Sequence, residues 1–277
     1  MVNHKLLIGA DPEIFVRKDG VFHSAHGLVP GTKENPHKVN HGATQVDGMA
    51  LEFNIDPAAT RQEFVTNLTE VMKVLDEMTP GYDLAVAAVA DFEADHMAAQ
   101  PVEALILGCD PDYNAYTGEQ NEPPNGDVNF RSAAGHVHVG WTEDVDPMHP
   151  DHFEACCMLA KELDCRLALP LLQHDQEQRR RQLYGAPGAF RPKSYGMEYR
   201  VLSNKWLDSE GLMKWVYDGV HKAFNNLAAG KRLSGYFNDR LGEYTEYHPA
   251  ALQAYMPGLM RTAVDHGIVN LPREYRL

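Results

Sequence analysis

The sequence predicts an α+β fold in which a sheet with one concave polar face is backed by helices. Three observations carry this. Four apolar stretches each hold a polar pair at positions i and i+2: Asp11 and Glu13 in LLIGADPEIFV, Glu52 and Asn54 in GMALEFNI, His136 and His138 in AAGHVHVGW, and Glu198 and Arg200 in YGMEYRVLS. Side chains alternate across a strand, so each pair leaves one face, and four such faces make a surface rich in carboxylate and imidazole. Between these strands lie segments of helical periodicity, and no Pro/Gly/Ser-rich linker divides the 277 residues. A single domain spanning 1–277 is expected, with 207–277 as its C-terminal helical layer.

The elements follow in order. Residues 5–17 and 21–25 read as a hairpin, because Asp19-Gly20 between apolar runs favours a tight turn. The loop LVPGTKENPHKVNHG comes next, then one long strand from Gln45 to Ile55. Thr60 caps a helix whose apolar positions Phe64, Leu68, Val71, Met72 and Leu75 keep helical spacing up to Pro80-Gly81. Residues 84–92 read as a buried strand, and 108–127 as a polar, turn-rich excursion. After the His136 strand, Pro150-Asp151 opens an amphipathic helix with Phe153, Cys157, Leu159, Leu163 and Leu167 that ends near Pro170. A basic loop from Gln178 to Ser194 precedes the Glu198 strand, and from Ser209 the pattern is helical to about Gly267.

Composition limits function. With 44% hydrophobic and 23% charged residues the chain is an ordinary globular protein, and a net charge of −14 argues against nonspecific binding of nucleic acid or membrane. Cys109, Cys156, Cys157 and Cys165 show no CxxC spacing, which fits a reducing compartment and not a structural zinc site. No signal-peptide layout and no long apolar run are present, so a cytoplasmic location is expected.

The candidate ligands Asp11, Glu13, Asp47, Glu52, His136, His138 and Glu198 are mainly carboxylates, a set suited to Mg²⁺ or Mn²⁺ ahead of zinc. Taken singly, each fits a satisfied buried polar group or an ion pair; taken together, buried carboxylates demand neutralisation. Between Arg179 and Lys205 the acidic balance reverses, with Arg179, Arg180, Arg181, Arg191, Lys193, Arg200 and Lys205 against Glu198. Guanidinium forks bind phosphate oxygens, and Arg191, read as lying in the turn GAPGAFRPK, and Arg200 are the candidates, whereas the Arg triplet also suits a solvated helix end. No P-loop sequence occurs. Trp141, Trp206 and Trp215 suit packing, the tail aromatics Tyr236, Phe237, Tyr244, Tyr247 and Tyr255 a core or dimer contact, and His4, His23, His26, His37 and His41 exposure.

GADPEIFVRKDG, AGHVHVG and GMEYRVLSN, in this order, resemble the catalytic strands of the glutamine synthetase and glutamate-cysteine ligase superfamily. Through GADPEIF, the PGTK loop, QVDGMALEFN and YGAPGAFRPKSYGMEYRVLSN, the chain is most similar to its phage-type carboxylate-amine ligases (amidoligases), over about residues 9–206. The resemblance implies a curved, mainly antiparallel sheet with helices on its outer face, resembling the glutamine synthetase catalytic domain. It implies ATP and Mg²⁺ (or Mn²⁺) as cofactors. Glu13 and Glu52, with Asp47, would hold one metal, and Asp11, His136 and Glu198 the other. His138 would face nucleotide or phosphate, and Arg191 and Arg200 the transferred phosphoryl group. The first strand departs from the family's Glu-x-Glu by reading Asp11-Pro12-Glu13. Because the first catalytic strand begins near residue 6, the smaller N-terminal sheet domain of glutamine synthetase is not expected here, nor with it the ring-shaped assembly, and a different homo-oligomer is the candidate assembly.

The implied chemistry is amide formation through an acyl phosphate, joining a small carboxylate such as an amino acid to an amine. A modified nucleotide, a nucleobase or a peptide are candidate partners, duplex DNA less so for an acidic surface. Asp47 or Glu52 would accept the amine's proton, and the loops 28–42 and 108–127, with Lys33 and Lys38 offered to phosphates, are candidate lids. Two other classes fit the same residues: a metal-dependent hydrolase, and a catalytically silent binding or virion-associated protein.

Overall fold

Strand β1 (Leu7–Lys18) is the axis of the sheet. In this computed structural model residues 5–105, 112–122 and 130–234 are described. Along one edge β1 pairs antiparallel with β10 (Gly135–Gly140) from Leu7 to Pro12; at Glu13 and Ile14 it pairs with β5 (Ala50–Ile55). Pro12 has no N–H to give a ladder, and it falls where the β10 register ends. With β3 (His37–Val39), β4 (Gly42–Asp47), β8 (Tyr113–Asn114), β11 (Ala189–Lys193) and β12 (Gly196–Tyr199), the order is β3-β4-β5-β1-β10-β12-β11-β8. Every pairing is antiparallel, and β2 (Val21–His23) and β6 (Asp83–Ala85) join β1, giving ten strands. The β1–β2 turn places Asp19 and Gly20 at φ 52° and 81°, the left-handed pair that a tight hairpin requires. The open antiparallel sheet and its helices are the fold class expected from the sequence.

Alternation divides the sheet's two faces. Ile8, Ile14, Leu51, Phe53, Val137, Val139, Met197 and Tyr199 enter the apolar core on the outer face. There they meet α1 (Arg61–Met78) through Phe64, Leu68, Val71 and Leu75, and α4 (Pro150–Leu163) through Cys156, Leu159 and Leu163. Of the shorter helices, α2 (Ala94–Ala98), α3 (Val102–Leu105) and α5 (Leu169–Leu171), the last extends α4 through one π turn at Asp164–Ala168. Helix α6 (Glu210–Ala228), capped by Ser209, adds Leu212, Val216 and Val220. Thr60 and Glu63 form a reciprocal capping box at α1.

Several expected elements are different in the structure. The single strand from Gln45 to Ile55 is the β4–β5 hairpin, folded at Asp47-Gly48 with Gly48 at φ 57°. Residues 84–92 split into β6 and β7 (Val89–Asp91), which pairs with β9 (Phe130–Ser132) in a separate two-stranded sheet. The basic loop 178–194 contains a 3₁₀ turn at Arg179–Gln182 and then β11, so Arg191 is a strand residue and not a turn residue. His23 is half-buried against Tyr82 and His96 instead of exposed. Of the 108–127 excursion only 112–122 is described, and the tail expected to stay helical to Gly267, with its tyrosines, lies outside the described residues beyond 234. Among the described residues no helix is long and apolar enough to cross a membrane.

Gly135 shows why the histidine strand opens with glycine. A Cβ there would lie 2.3 Å from the Ser203 carbonyl oxygen and 2.4 Å from Trp206 Nε1. The indole already donates to the Gly135 carbonyl at 3.0 Å. Gly135→Ala is expected to destabilise the fold by roughly 1–3 kcal/mol, measured by urea denaturation, because neither backbone nor a buried tryptophan yields easily.

Candidate active site

Strand register assembles the concave face in rows. Gln45, Glu52 and Glu13 lie side by side across β4, β5 and β1; Asp11 lies opposite His136; and His138, Glu198 and Arg191 are neighbours across β10, β12 and β11. All four polar pairs read from the sequence therefore belong to one sheet, and the rows split into two electrostatic halves.

The first half is carboxylate-rich. Glu13 Oε2 accepts from the Ala134 N–H at 2.8 Å, and Gln45 Nε2 donates to Glu52 Oε2 at 2.7 Å. Burial, with Asp47 next in weight, pushes Glu13 from 4.5 up to about 7. Glu52 is raised well above its ordinary range by burial and then by Asp11, Glu13 and Asp47, and burial raises Asp47 against the opposing charge of exposed Lys33. Arg180 and Arg200 at Glu13, and Lys33 and Arg200 at Asp47, oppose these shifts without cancelling them, and acids so placed could hold a cation. Lys38 stands exposed on β3, opposite Ala43.

The second half pairs ligands with cations. Asp11, His136 and Glu198 each bring one ligand atom to within 4.8 Å of the others, the one such trio among the described residues. His136 Nδ1 lies 3.6 Å from Asp11 Oδ1 and 3.4 Å from Glu198 Oε1. Burial, followed by Arg200, drives His136 well below its ordinary value and leaves the neutral imidazole that ligates metals. Burial opposes charge on Glu198, yet Arg200, His136, His138 and Arg191 outweigh it and hold the carboxyl well below the usual range. Glu198 contacts Arg200 Nη1, Arg191 Nη1 at 3.0 Å and Lys193 Nζ at 3.1 Å. Asp11 Oδ1 is a buried oxygen with no aligned hydrogen-bond donor, although His138 Nε2 stands 2.9 Å away. We read that approach as an ionic contact, since a short distance without N–H alignment is no hydrogen bond. Burial lowers the proton affinity of His138, but Asp11 and then Glu198 outweigh it and raise the imidazole overall.

The Arg triplet is engaged elsewhere. Arg179 pairs with Asp91 and Glu177, and Arg181 with Asp175. Arg180, 2% exposed, donates to the carbonyls of Ala133, Val201 and Leu202 and ties the ends of β10 and β12 together. Sequence reasoning passes over four participants: Gln45; Lys193 as a direct partner of Glu198; Tyr195, whose hydroxyl meets His138 Nδ1; and Asp112, 3.0 Å from Arg200 Nε. For Lys193 the strand period carried a usable signal, since it shares the face of Arg191.

Beyond His138 lies a cavity of about 500 Å³ lined by Leu7, Asn54, Ile55, Trp141, Thr142 and Tyr195 among others. His138 lines it and lies 2.9 Å from Asp11, so the cavity adjoins this half of the face.

No curated protein matches the chain. Residues 129–233 match a family model described as Phage phiEco32-like COOH.NH2 ligase-type 2, a span that includes β10, β11 and β12 with His136, His138, Arg191, Glu198 and Arg200. The match over these strands supports assignment of the chain to the carboxylate–amine ligase family.

Proposed function

We propose that the protein is an ATP- and Mg²⁺-dependent ligase (Mn²⁺ being the other candidate ion) that joins a small carboxylate to an amine through an acyl phosphate, releasing ADP in the first step and inorganic phosphate when the amine displaces it. The observation that carries this reading is the trio of Asp11, His136 and Glu198 set against Arg191 and Arg200. A hard-to-borderline O,N donor set fits a divalent cation, and so does the buried Asp11 Oδ1, which has no aligned hydrogen bond beside its ionic contact to His138. Asp11, His136 and Glu198 would hold one ion, and Glu13 with Glu52 a second. Bound there, the ions would screen the charge of a triphosphate and of the group it transfers.

The chain's own residues account for the rest. A carboxylate resists amine attack because of its charge and its lack of a leaving group, so its oxygen must first take the γ-phosphoryl group. Arg191 and Arg200 neutralise that group as it moves in line between oxygens, from positions fixed before reaction. His138 stands between the apolar cavity and the ligand trio, so a nucleoside in the cavity would direct its phosphates toward Asp11 and Glu198. The attacking amine must be neutral, and Asp47, already raised by burial, would take its proton.

The test is a screen of amino acids and amines for ADP release, with product mass spectrometry. A product of acid plus amine minus water, formed only with metal and ATP present, is the expected outcome. Metal-dependent hydrolysis without ATP would replace the ligase with the hydrolase reading.

A further inference from the structure

Asp112 reaches the site from 88 residues away in sequence and is held there by a scaffold of its own. Its Oδ2 accepts from Arg200 Nε at 3.0 Å, and its Oδ1 accepts from Asn121 Nδ2 at 2.8 Å. The Asn121 N–H donates to the Asp112 carbonyl at 2.8 Å, and Tyr113 bridges Gln120, so residues 112–121 close on themselves at the neck. The same segment is tied to the sheet, with Asn114 opposite Ala189 and the Ala115 N–H on the Gly188 carbonyl at 2.9 Å.

A third tie is buried. Asp164, in the π turn that continues α4, accepts from Tyr116 OH at 2.8 Å on one oxygen and from Tyr199 OH at 2.5 Å on the other. Tyr116 belongs to the Asp112 segment, and Tyr199 stands between Glu198 and Arg200. One carboxylate therefore sets the distance between the strand that carries Arg200 and the segment that carries Asp112.

We infer that Asp112 is a positioning residue for Arg200, fixing the plane of the guanidinium toward the transferred phosphoryl group. Glu198 holds the Nη1 end and Asp112 the Nε edge, and two carboxylates on different edges of a planar fork leave it one orientation. Glu198 is shared with Arg191 and Lys193, so Asp112 is the carboxylate whose contact falls on the Nε edge of Arg200. This role rests on the ligase reading above, because it assigns Arg200 a phosphoryl group to face.

The experiment compares wild type, Asp112→Ala, Asp112→Asn and Arg200→Lys in ADP release, thermal melting and the nitrogen-15 spectrum of arginine Nε–H groups. Asp112→Ala is expected to lower kcat on the order of tenfold to a hundredfold while KM for ATP changes little, as misorientation does. Asp112→Asn, whose amide oxygen still accepts from Nε, should recover part of that loss. The Arg200 Nε–H resonance, identified by its disappearance in Arg200→Lys, should shift in Asp112→Ala. If Asp112→Ala only lowers the melting temperature and keeps wild-type kcat, the residue is merely structural and the inference is overturned with the ligase intact. If wild type releases no ADP with any acid and amine, the ligase reading fails first, and the positioning role falls with it.

Discussion

Glu198→Gln is expected to lower ADP-forming turnover on the order of a thousandfold, since it removes the proposed metal ligand and the anchor of both site arginines together. The side chain is 1% exposed and in contact with Arg191, Lys193 and Arg200. Glutamine keeps the volume, so no cavity forms; what changes is one charge and the acceptors on one oxygen. Three cations then share a buried pocket without their common counter-ion, and the fold should lose about 3 kcal/mol, at the low end for breaking a buried pair from one side. Urea denaturation measures that loss. The control is Glu177→Gln, at the exposed Arg179 pair, where the change should stay within roughly 0.5 kcal/mol. Equal effects at the two positions would mean that Glu198 is an ordinary ion pair.

That Asp11, Glu13, Glu52, His136, His138 and Glu198 share a face is legible in the sequence because strand alternation is a local rule and each pair is flanked by apolar residues on the opposite parity. The helix starts at Thr60 and Ser209 are legible for a similar reason, each cap bonding only three residues ahead. Failures arise where local patterns conflict or long-range contacts decide. Asp47-Gly48 is a turn dipeptide, but the apolar run Met49, Ala50 and Leu51 behind it reads as the same strand continued. GAPG before Arg191 marks a turn that ends sooner than its composition suggests, with β11 beginning at Ala189. Arg179, Arg180 and Arg181 are identical as letters; only the carbonyls that converge on Arg180 make it an internal brace. Asp112 belongs to a polar excursion without periodicity, and nothing local points to Arg200.

Stability of the metal-free protein is expected to fall as pH rises from the mildly acidic range toward neutrality, opposite to the trend for proteins whose carboxylates are salt-bridged. Glu13 is raised in the fold from 4.5 to about 7, and Asp164 from 3.8 to about 7, with Glu52 and Asp47 shifted the same way. A carboxyl whose folded value exceeds its unfolded value binds its proton more tightly when folded. Its contribution is therefore complete below the unfolded value and is lost as pH climbs through the folded one. Glu198 has the opposite sign: its contribution is present above its unfolded value and is lost on acidification, so stability should peak in mild acid. A divalent cation held as proposed would change the upper limb, since it would bind deprotonated carboxylates and its attraction would replace their mutual repulsion. Added Mg²⁺ or Mn²⁺ should consequently raise the melting temperature more at about pH 8 than at about pH 5, where protons compete for the same oxygens. Glu13→Gln with Glu52→Gln should flatten the metal-free slope without abolishing it, because Asp164 lies away from the concave face and titrates independently of any metal. A metal-free melting temperature that climbs steadily through this range, or a metal effect of equal size at both pH values, would show that the acidic half of the face is neutralised by something other than a cation.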